Sequence, residues 1–193
     1  MRVLNKDRKK TQKEKINLSL ETYFESIGQY NLNLNTGFKL KKNILFTSLG
    51  RHYFDGWSSD DKVMLFPQFV YADSTRFQQW KPKEQWFVKT NYVYHTNTNL
   101  VLKPYIDFFK ETVLNKGFPQ GAFLDYAFDD YYLTHRLNKG IVIKGPFFNR
   151  NIDIVLSHNK YKRIKNQYYT DLTNLSQFIT NNSDTTVIDV INH

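Results

Sequence analysis

The chain has 193 residues, no cysteine and a formal net charge of +9 at neutral pH. The lack of cysteine excludes disulfide bridges and thiolate zinc sites. No apolar run approaches the roughly 18 residues of a membrane-spanning helix, and no apolar segment of a secretory signal follows the charged N-terminus. We therefore expect a single-domain protein without a membrane span.

Two short segments carry the positive charge. Residues 1–15 hold seven Lys and Arg against two acids, and residues 158–168 hold four with no acid, whereas the rest of the chain is neutral. Such segments contact phosphate or an acidic protein surface. Residues 1–11 are predicted to form a flexible basic arm. The candidate contact residues are Arg2, Lys6, Arg8, Lys9, Lys10, Lys160, Lys162, Arg163 and Lys165.

The first predicted element is an amphipathic helix over residues 12–27. Residues 11–14 fit a capping box, five apolar residues follow at helical spacing, and Gly28 ends the pattern. This apolar stripe packs on the protein's own sheet or, alternatively, docks on a neighbouring subunit. The candidate docking residues are Ile16, Leu20, Tyr23, Phe24 and Ile27.

Strands are predicted next. Apolar residues alternate with Asn over residues 30–34, and further strand patterns cover 38–47 and 63–71, the last interrupted by Pro67. Residues 86–103 predict a β-hairpin with a loop of about four residues. The aromatic residues Trp80, Trp86 and Tyr92 indicate core or subunit packing, with a stacking platform for bases or sugars as the alternative.

Helical spacing returns in the second half of the chain. It predicts helices over residues 104–115, 120–138 and about 172–180, with strands over 141–144 and 152–157 between them and a C-terminal tail or short edge strand in 181–193. The sequence therefore predicts an α+β fold: a mixed, mostly antiparallel sheet with an N-terminal amphipathic helix, a central helical pair and a C-terminal helix, in one domain over residues 12–180.

Motifs that carry chemistry are missing. The chain has no phosphate-binding glycine loop and no HExxH motif, and its five His lie far apart. The strongest acidic cluster is Asp125, Asp129 and Asp130, followed by His135 and Arg136. On a helix, Asp125 and Asp129 share one face, which favours a solvated or ion-paired surface. A contact with a basic partner and a carboxylate pair holding a metal ion are the alternatives.

Asp153 lies in a strand pattern typical of nuclease carboxylates, but no Glu-x-Lys follows it. We predict no catalytic residue, no cofactor and no metal. The sequence favours a non-enzymatic structural or interaction subunit of a large assembly, such as a phage head-to-tail connector or tail ring protein. It would form homo-oligomers, contact heterologous neighbours, and work in a virion or in host cytoplasm.

Two alternatives stay open. The first is a basic nucleic-acid-binding protein, such as a ribosomal subunit in an organelle matrix, which would use the two basic segments. The second is a divergent metal-dependent nuclease around Asp125, Asp129 and Asp153.

Overall fold

The computed structural model describes residues 15–57, 74–148 and 150–192. They form one eight-stranded sheet in which every strand pairs antiparallel with the next strand along the chain. The strands are β1 Lys15–Glu25, β2 Gln29–Leu40, β3 Asn43–Phe54, β4 Lys83–His95, β5 Val101–Asn115, β6 Tyr126–Phe147, β7 Arg150–Asp171 and β8 Gln177–Asn192. A short 3-10 helix, Ser74–Phe77, precedes β4.

The predicted α+β class is wrong, because the described residues contain no α-helix. The N-terminal helix is replaced by β1. Helical spacing selected Ile16, Leu20 and Phe24 but passed over Leu18, which alternates with Asn17 and Ser19. In a strand all four apolar residues lie on one side, and pairing with β2 stabilises it.

The central helical pair is also wrong. Residues 104–115 continue β5, and residues 126–138 belong to β6. Both segments carry apolar residues at odd and at even positions. The helical period of 3.6 residues and the strand period of 2 residues therefore fit them about equally well. Aromatic and β-branched residues, which prefer strands, decide between them.

The predicted C-terminal helix is wrong as well, because a turn over residues 172–176 leads directly into β8. The hairpin predicted over 86–103 is confirmed by β4 and β5, which pair antiparallel. The arm predicted over 1–11 and the strand predicted over 63–71 lie outside the described residues.

The connections at the two ends of the sheet differ in length. At one end, residues 41–42 and 96–100 make short turns; at the other, residues 26–28 and 172–176 also make short turns, but residues 116–125 make a longer connection and the 3-10 helix lies before β4. We call these the tight-turn end and the long-loop end. Residues 74–82 lie at the long-loop end, where Lys81 donates hydrogen bonds to the carbonyl oxygens of Arg76 and Lys116.

Burial is unusually low for a sheet of this size. Among the described residues, Ala127 is the only buried hydrophobic residue, and many large apolar side chains are exposed. A folded domain normally covers the apolar side of its sheet with a second layer. Within the described part of the chain, no second layer covers this sheet. No described helix is long and apolar enough to cross a membrane.

Candidate functional site

Strand alternation sorts the side chains onto two chemically different faces. We call the side that carries Leu20 the apolar face and the side that carries Ser19 the polar face. Three neighbouring rows of side chains on the apolar face carry no charged residue between β1 and β4 or β5. Counted from the tight-turn end, the rows are Ile16–Phe38–Leu45–Tyr92, Leu18–Thr36–Thr47–Thr90–Ile106 and Leu20–Leu34–Leu49–Val88–Phe108.

The apolar face is open in the structure. In β1, Ile16, Leu18 and Leu20 are 72%, 71% and 63% exposed, and Phe24 further along the strand is 63% exposed. From Ile16 to Phe24 the strand has nine residues, which cover about 27 Å at about 3.4 Å per residue. The exposed apolar surface is therefore deep along the strands as well as wide across them.

Charged side chains begin in the next rows towards the long-loop end. Arg51 Nε donates to Glu84 Oε1 at 2.7 Å. The Arg51 guanidinium lies 5.2 Å from the centre of the Trp86 ring and 5.6 Å from that of Tyr53. The apolar face is thus bordered by a compensated ion pair set among aromatic rings.

The polar face carries hydrogen-bonding side chains in the same strands. In β2 it presents Asn31, Asn33 and Asn35. Asn33 Oδ1 lies 3.0 Å from His52 Nε2, and Ser48 donates to Asn35. The polar side chains of β2 and β3 therefore bond with one another across the sheet.

Ion pairs continue the polar face into β4, β5 and β6. The Asp107 carboxylate lies 3.7 Å from Lys89 Nζ and 4.0 Å from Arg136 Nη2. The Arg136 guanidinium also lies 5.3 Å from the centre of the Phe109 ring. Its charges are paired but partly exposed, and the aromatic rings of Phe46, Phe87 and Phe109 lie among them on the same face.

One buried polar cluster lies at the long-loop end. Asp129 is fully buried, and Arg76 is 3% exposed. The guanidinium donates to both carboxylate oxygens, at 2.5 and 2.9 Å. Thr170 Oγ1 and the Gly117 amide donate to the same carboxylate at 2.7 and 3.0 Å, and Gln177 donates at 3.2 Å. The cluster joins the 3-10 helix to β6, β7 and β8.

Opposing effects act on the pKa of Asp129. Burial raises this pKa, but the hydrogen bonds from Arg76 and Thr170 and the charge of Arg76 outweigh burial and hold it below its ordinary value. The carboxylate is therefore ionised and fully bonded. This environment stabilises structure and leaves no lone pair directed at a substrate or a metal ion.

The acidic residues singled out in the sequence do not form a metal site. Asp129 and Asp130 lie on opposite faces of β6, and Asp130 accepts hydrogen bonds from Lys165 and Gln167 at 3.2 Å. Asp153 pairs with Lys144 at 2.6 Å near the tight-turn end. The described residues hold no group of three or more side chains that could bind a metal ion.

The basic residues of the 158–168 segment are divided by β7. Lys160 and Lys162 point to the apolar face, whereas Arg163 and Lys165 point to the polar face. There, Arg163 lies 4.9 Å from the centre of the Tyr132 ring, and Lys165 pairs with Asp130. The other candidate contact residues, in segment 1–14, lie outside the described residues.

The docking stripe is divided in the same way. Ile16, Leu20 and Phe24 share the apolar face, but Tyr23 lies on the polar face and Ile27 lies in the turn after β1. The sequence reasoning missed Leu18 in this stripe, although its alternation with Asn17 and Ser19 was a visible signal. It also missed Arg76, which no local pattern marks.

The three aromatic residues of the suggested platform are not brought together. Trp80 stacks on Trp57 with ring centres 5.0 Å apart. Trp86 lies beneath Arg51 on the apolar face, and the Tyr92 hydroxyl donates to Asn43 at 2.5 Å. A pocket of about 320 Å³ opens beside the Trp pair on the polar face.

Compared with protein-family models, curated proteins and solved structures, the chain matches none of them.

Proposed function

We propose that this chain is a non-enzymatic structural protein that forms part of a membrane-embedded antiparallel sheet. Its apolar face lies against lipid acyl chains, and its polar face is turned towards water. The observation that carries the proposal is the three uncharged rows of the apolar face, whose side chains are exposed or half-buried across four or five strands and are bordered by charged residues.

The depth of the apolar face supports a lipid environment. The nine residues from Ile16 to Phe24 in β1 and the nine from Tyr30 to Phe38 in β2 carry no charge on this face. A strand needs about 9–11 residues to cross the hydrocarbon region of a bilayer. The aromatic rings of Tyr53 and Trp86, beside the Arg51–Glu84 pair, suit the boundary between hydrocarbon and water.

The two ends of the sheet support the same environment. The longer connection 116–125 lies at one end, as is typical of antiparallel sheets that cross a bilayer, and this end also has the short turns 26–28 and 172–176. β6 and β7, with 22 residues each, are longer than a bilayer crossing requires. They carry the buried Arg76–Asp129 cluster at the long-loop end and the Lys144–Asp153 pair near the tight-turn end, with Lys139 and Lys160 level with the uncharged rows.

A lipid environment also requires the edge strands of the sheet to be paired. β1 and β8 are the outer strands of the described sheet, and unpaired backbone groups are costly in lipid. The proposal therefore requires further strands to pair with β1 and β8, from another segment of a longer chain or from another chain.

Assembly into a virion, our expectation from the sequence, would cover the apolar face with protein and stays a prediction. Nucleic-acid binding is the second expectation from the sequence. It receives less support, because β7 divides its basic residues between two faces. Submicromolar binding to random duplex DNA or RNA at about 0.15 M salt, tighter than usual non-specific binding, would favour it.

The test uses single-cysteine variants, which give one labelled site each because the chain has no cysteine. Leu18→Cys and Leu20→Cys place a fluorescent label on the apolar face. Asn17→Cys and Ser19→Cys are matched controls from the same strand and the opposite face. Each labelled chain is incorporated into phosphatidylcholine vesicles, and quenching by lipids with brominated acyl chains is measured.

We expect quenching at positions 18 and 20 and little at 17 and 19, a two-residue period that only a strand with one lipid-facing side produces. The proposal would be overturned if labels at positions 18 and 20 were shielded from water only at high protein concentration and were not quenched by brominated lipid. That result would instead indicate a second copy of the chain or another protein on this face.

A further inference from the structure

We propose that four lysines on the apolar face, beside its uncharged rows, bind the phosphate groups of anionic lipids. They are Lys110, Lys139, Lys160 and Lys162, which we call the lysine cluster. This inference rests on the proposed function, because it requires acyl chains against the apolar face.

Register places the cluster on one side of β5, β6 and β7. Lys110 is opposite His135, and His135 is opposite Lys162, so these side chains form one row across three strands. Lys160 is two residues from Lys162 on the same side of β7, and Lys139 is opposite His158. Neighbours in such a row have Cβ atoms about 4.5–5.5 Å apart.

One acid on this face, Asp189, is directly opposite Lys160, so the four lysines outnumber the acids beside them. Among the described residues, none of the four lysines forms an ion pair. The two acids nearest to them on this face are engaged elsewhere: Asp189, opposite Lys160, bonds to His158, and Glu84 bonds to Arg51. Lys139 and Lys160 are diagonal neighbours, and Lys160 and Lys162 are two residues apart on one side of β7, so an anion from outside the described sheet would offset their mutual repulsion.

The position of the cluster selects the kind of anion. Lys139 is directly opposite Ile106, and Lys160 is directly opposite Leu137. Leu137 also pairs with Phe108 in β5, and Phe108 belongs to the third uncharged row. A ligand that fits must present negative charge and hydrocarbon at adjacent places, as a lipid with a phosphate headgroup does. Lysine ammonium groups bind phosphate as compact point charges.

The experiment uses Leu137→Cys, labelled with a fluorophore, as a reporter among the lysines. The labelled chain is incorporated into bilayers containing equal mole fractions of phosphatidylcholine and phosphatidylglycerol. Bromine is placed in the acyl chains of one lipid or the other in separate samples. The ratio of quenching by the two brominated lipids gives the selectivity at the cluster.

The test variant carries Lys110→Gln, Lys139→Gln, Lys160→Gln and Lys162→Gln. The control variant loses the same charge from exposed lysines on the polar face, through Lys15→Gln, Lys39→Gln, Lys83→Gln and Lys103→Gln. We expect the reporter chain to favour phosphatidylglycerol by about fivefold to tenfold, since a lysine near an anionic surface contributes roughly fivefold. The test variant should show a selectivity near one, and the control should retain it.

Equal quenching by both lipids in the reporter chain, or unchanged selectivity in the test variant, would overturn this inference and leave the proposed function standing. Quenching by neither lipid would overturn both. Inorganic phosphate at constant ionic strength should leave the selectivity intact. Loss of selectivity in phosphate would mean that the lysines bind free phosphate, which would also overturn the inference.

Discussion

Arg76 and Asp129 form two parallel hydrogen bonds, with Nη1–Oδ1 2.5 Å and Nη2–Oδ2 2.9 Å, while both side chains are excluded from solvent. Such bidentate pairs are strong and geometrically specific. This pair ties the 3-10 helix before β4 to β6, although the two residues are 53 positions apart in sequence. It is therefore a tertiary clamp at the long-loop end of the sheet.

Replacing the carboxylate should release this clamp. Asp129→Asn leaves the Arg76 guanidinium buried without its counter-charge, which typically costs about 3–5 kcal/mol of stability. Asp153→Asn removes an exposed pair with Lys144 and should cost at most about 1 kcal/mol. The free energy of unfolding in denaturant and the protease resistance of residues 74–82 would be measured for both. Equal losses in the two variants would show that the clamp does not stabilise the fold.

The same carboxylate predicts a dependence of stability on pH. The pKa of Asp129 is lower in the folded protein than its ordinary value of about 3.9. A depressed carboxyl pKa contributes stability above the unfolded pKa and loses it as pH falls through the folded pKa. We expect the difference in unfolding free energy between the parent and Asp129→Asn to shrink below about pH 4. A difference that stays constant from pH 7 to pH 3 would contradict this linkage.

The apolar face should not tolerate charge. Leu20→Arg places a cation among the exposed apolar side chains of β1, at the opposite end of its row from Lys160, and a charge at the lipid face of a membrane strand costs about 2–4 kcal/mol near the bilayer midplane. Ser19→Arg, the adjacent residue on the polar face, should insert and fold as the parent does. The fraction of chain that resists extraction from vesicles by carbonate would be compared. Equal extraction of the two variants would argue against lipid contact at Leu20.

Gly50 is required by the ring that covers it. A Cβ atom built there would lie 1.9 Å from Phe87 Cζ, and Phe87 also packs edge-on against His52. Gly50→Ala should displace the ring and destabilise the sheet by about 1–3 kcal/mol. Gly37→Ala is the matched control in the neighbouring strand, since its nearest contact is 3.4 Å. A Gly50→Ala variant as stable as Gly37→Ala would show that the ring moves at little cost.

The sequence predicted parts of the sheet but not its extent. The hairpin over 86–103 follows from aromatic and β-branched residues around a turn-forming segment, and it is confirmed by β4 and β5. The helices were predicted because apolar residues at both odd and even positions also fit helical spacing. In β1, the alternation of apolar and polar residues from Ile16 to Leu20 was visible and favoured a strand.

A search for long apolar runs examines only consecutive residues. In a strand with one apolar side, polar residues such as Asn17 and Ser19 interrupt every run, so the search passes over the face that Ile16, Leu18 and Leu20 form together. The continuous apolar face arises only when register sets the strands side by side. For this reason, membrane contact was not predicted from the sequence, whereas the exposed rows in the structure support proposing it.

The sequence by itself determined local properties: strand-forming segments, the basic character of residues 158–168 and the lack of cysteine. These properties depend only on each residue and its neighbours in the sequence. Only the tertiary structure decided that Lys160 and Arg163 lie on opposite faces, that Asp129 is bonded to Arg76 and that three uncharged rows cross four or five strands. The physical reason is that pairing register and burial are set by contacts between residues distant in sequence, and alternation turns each one-residue step into a change of face.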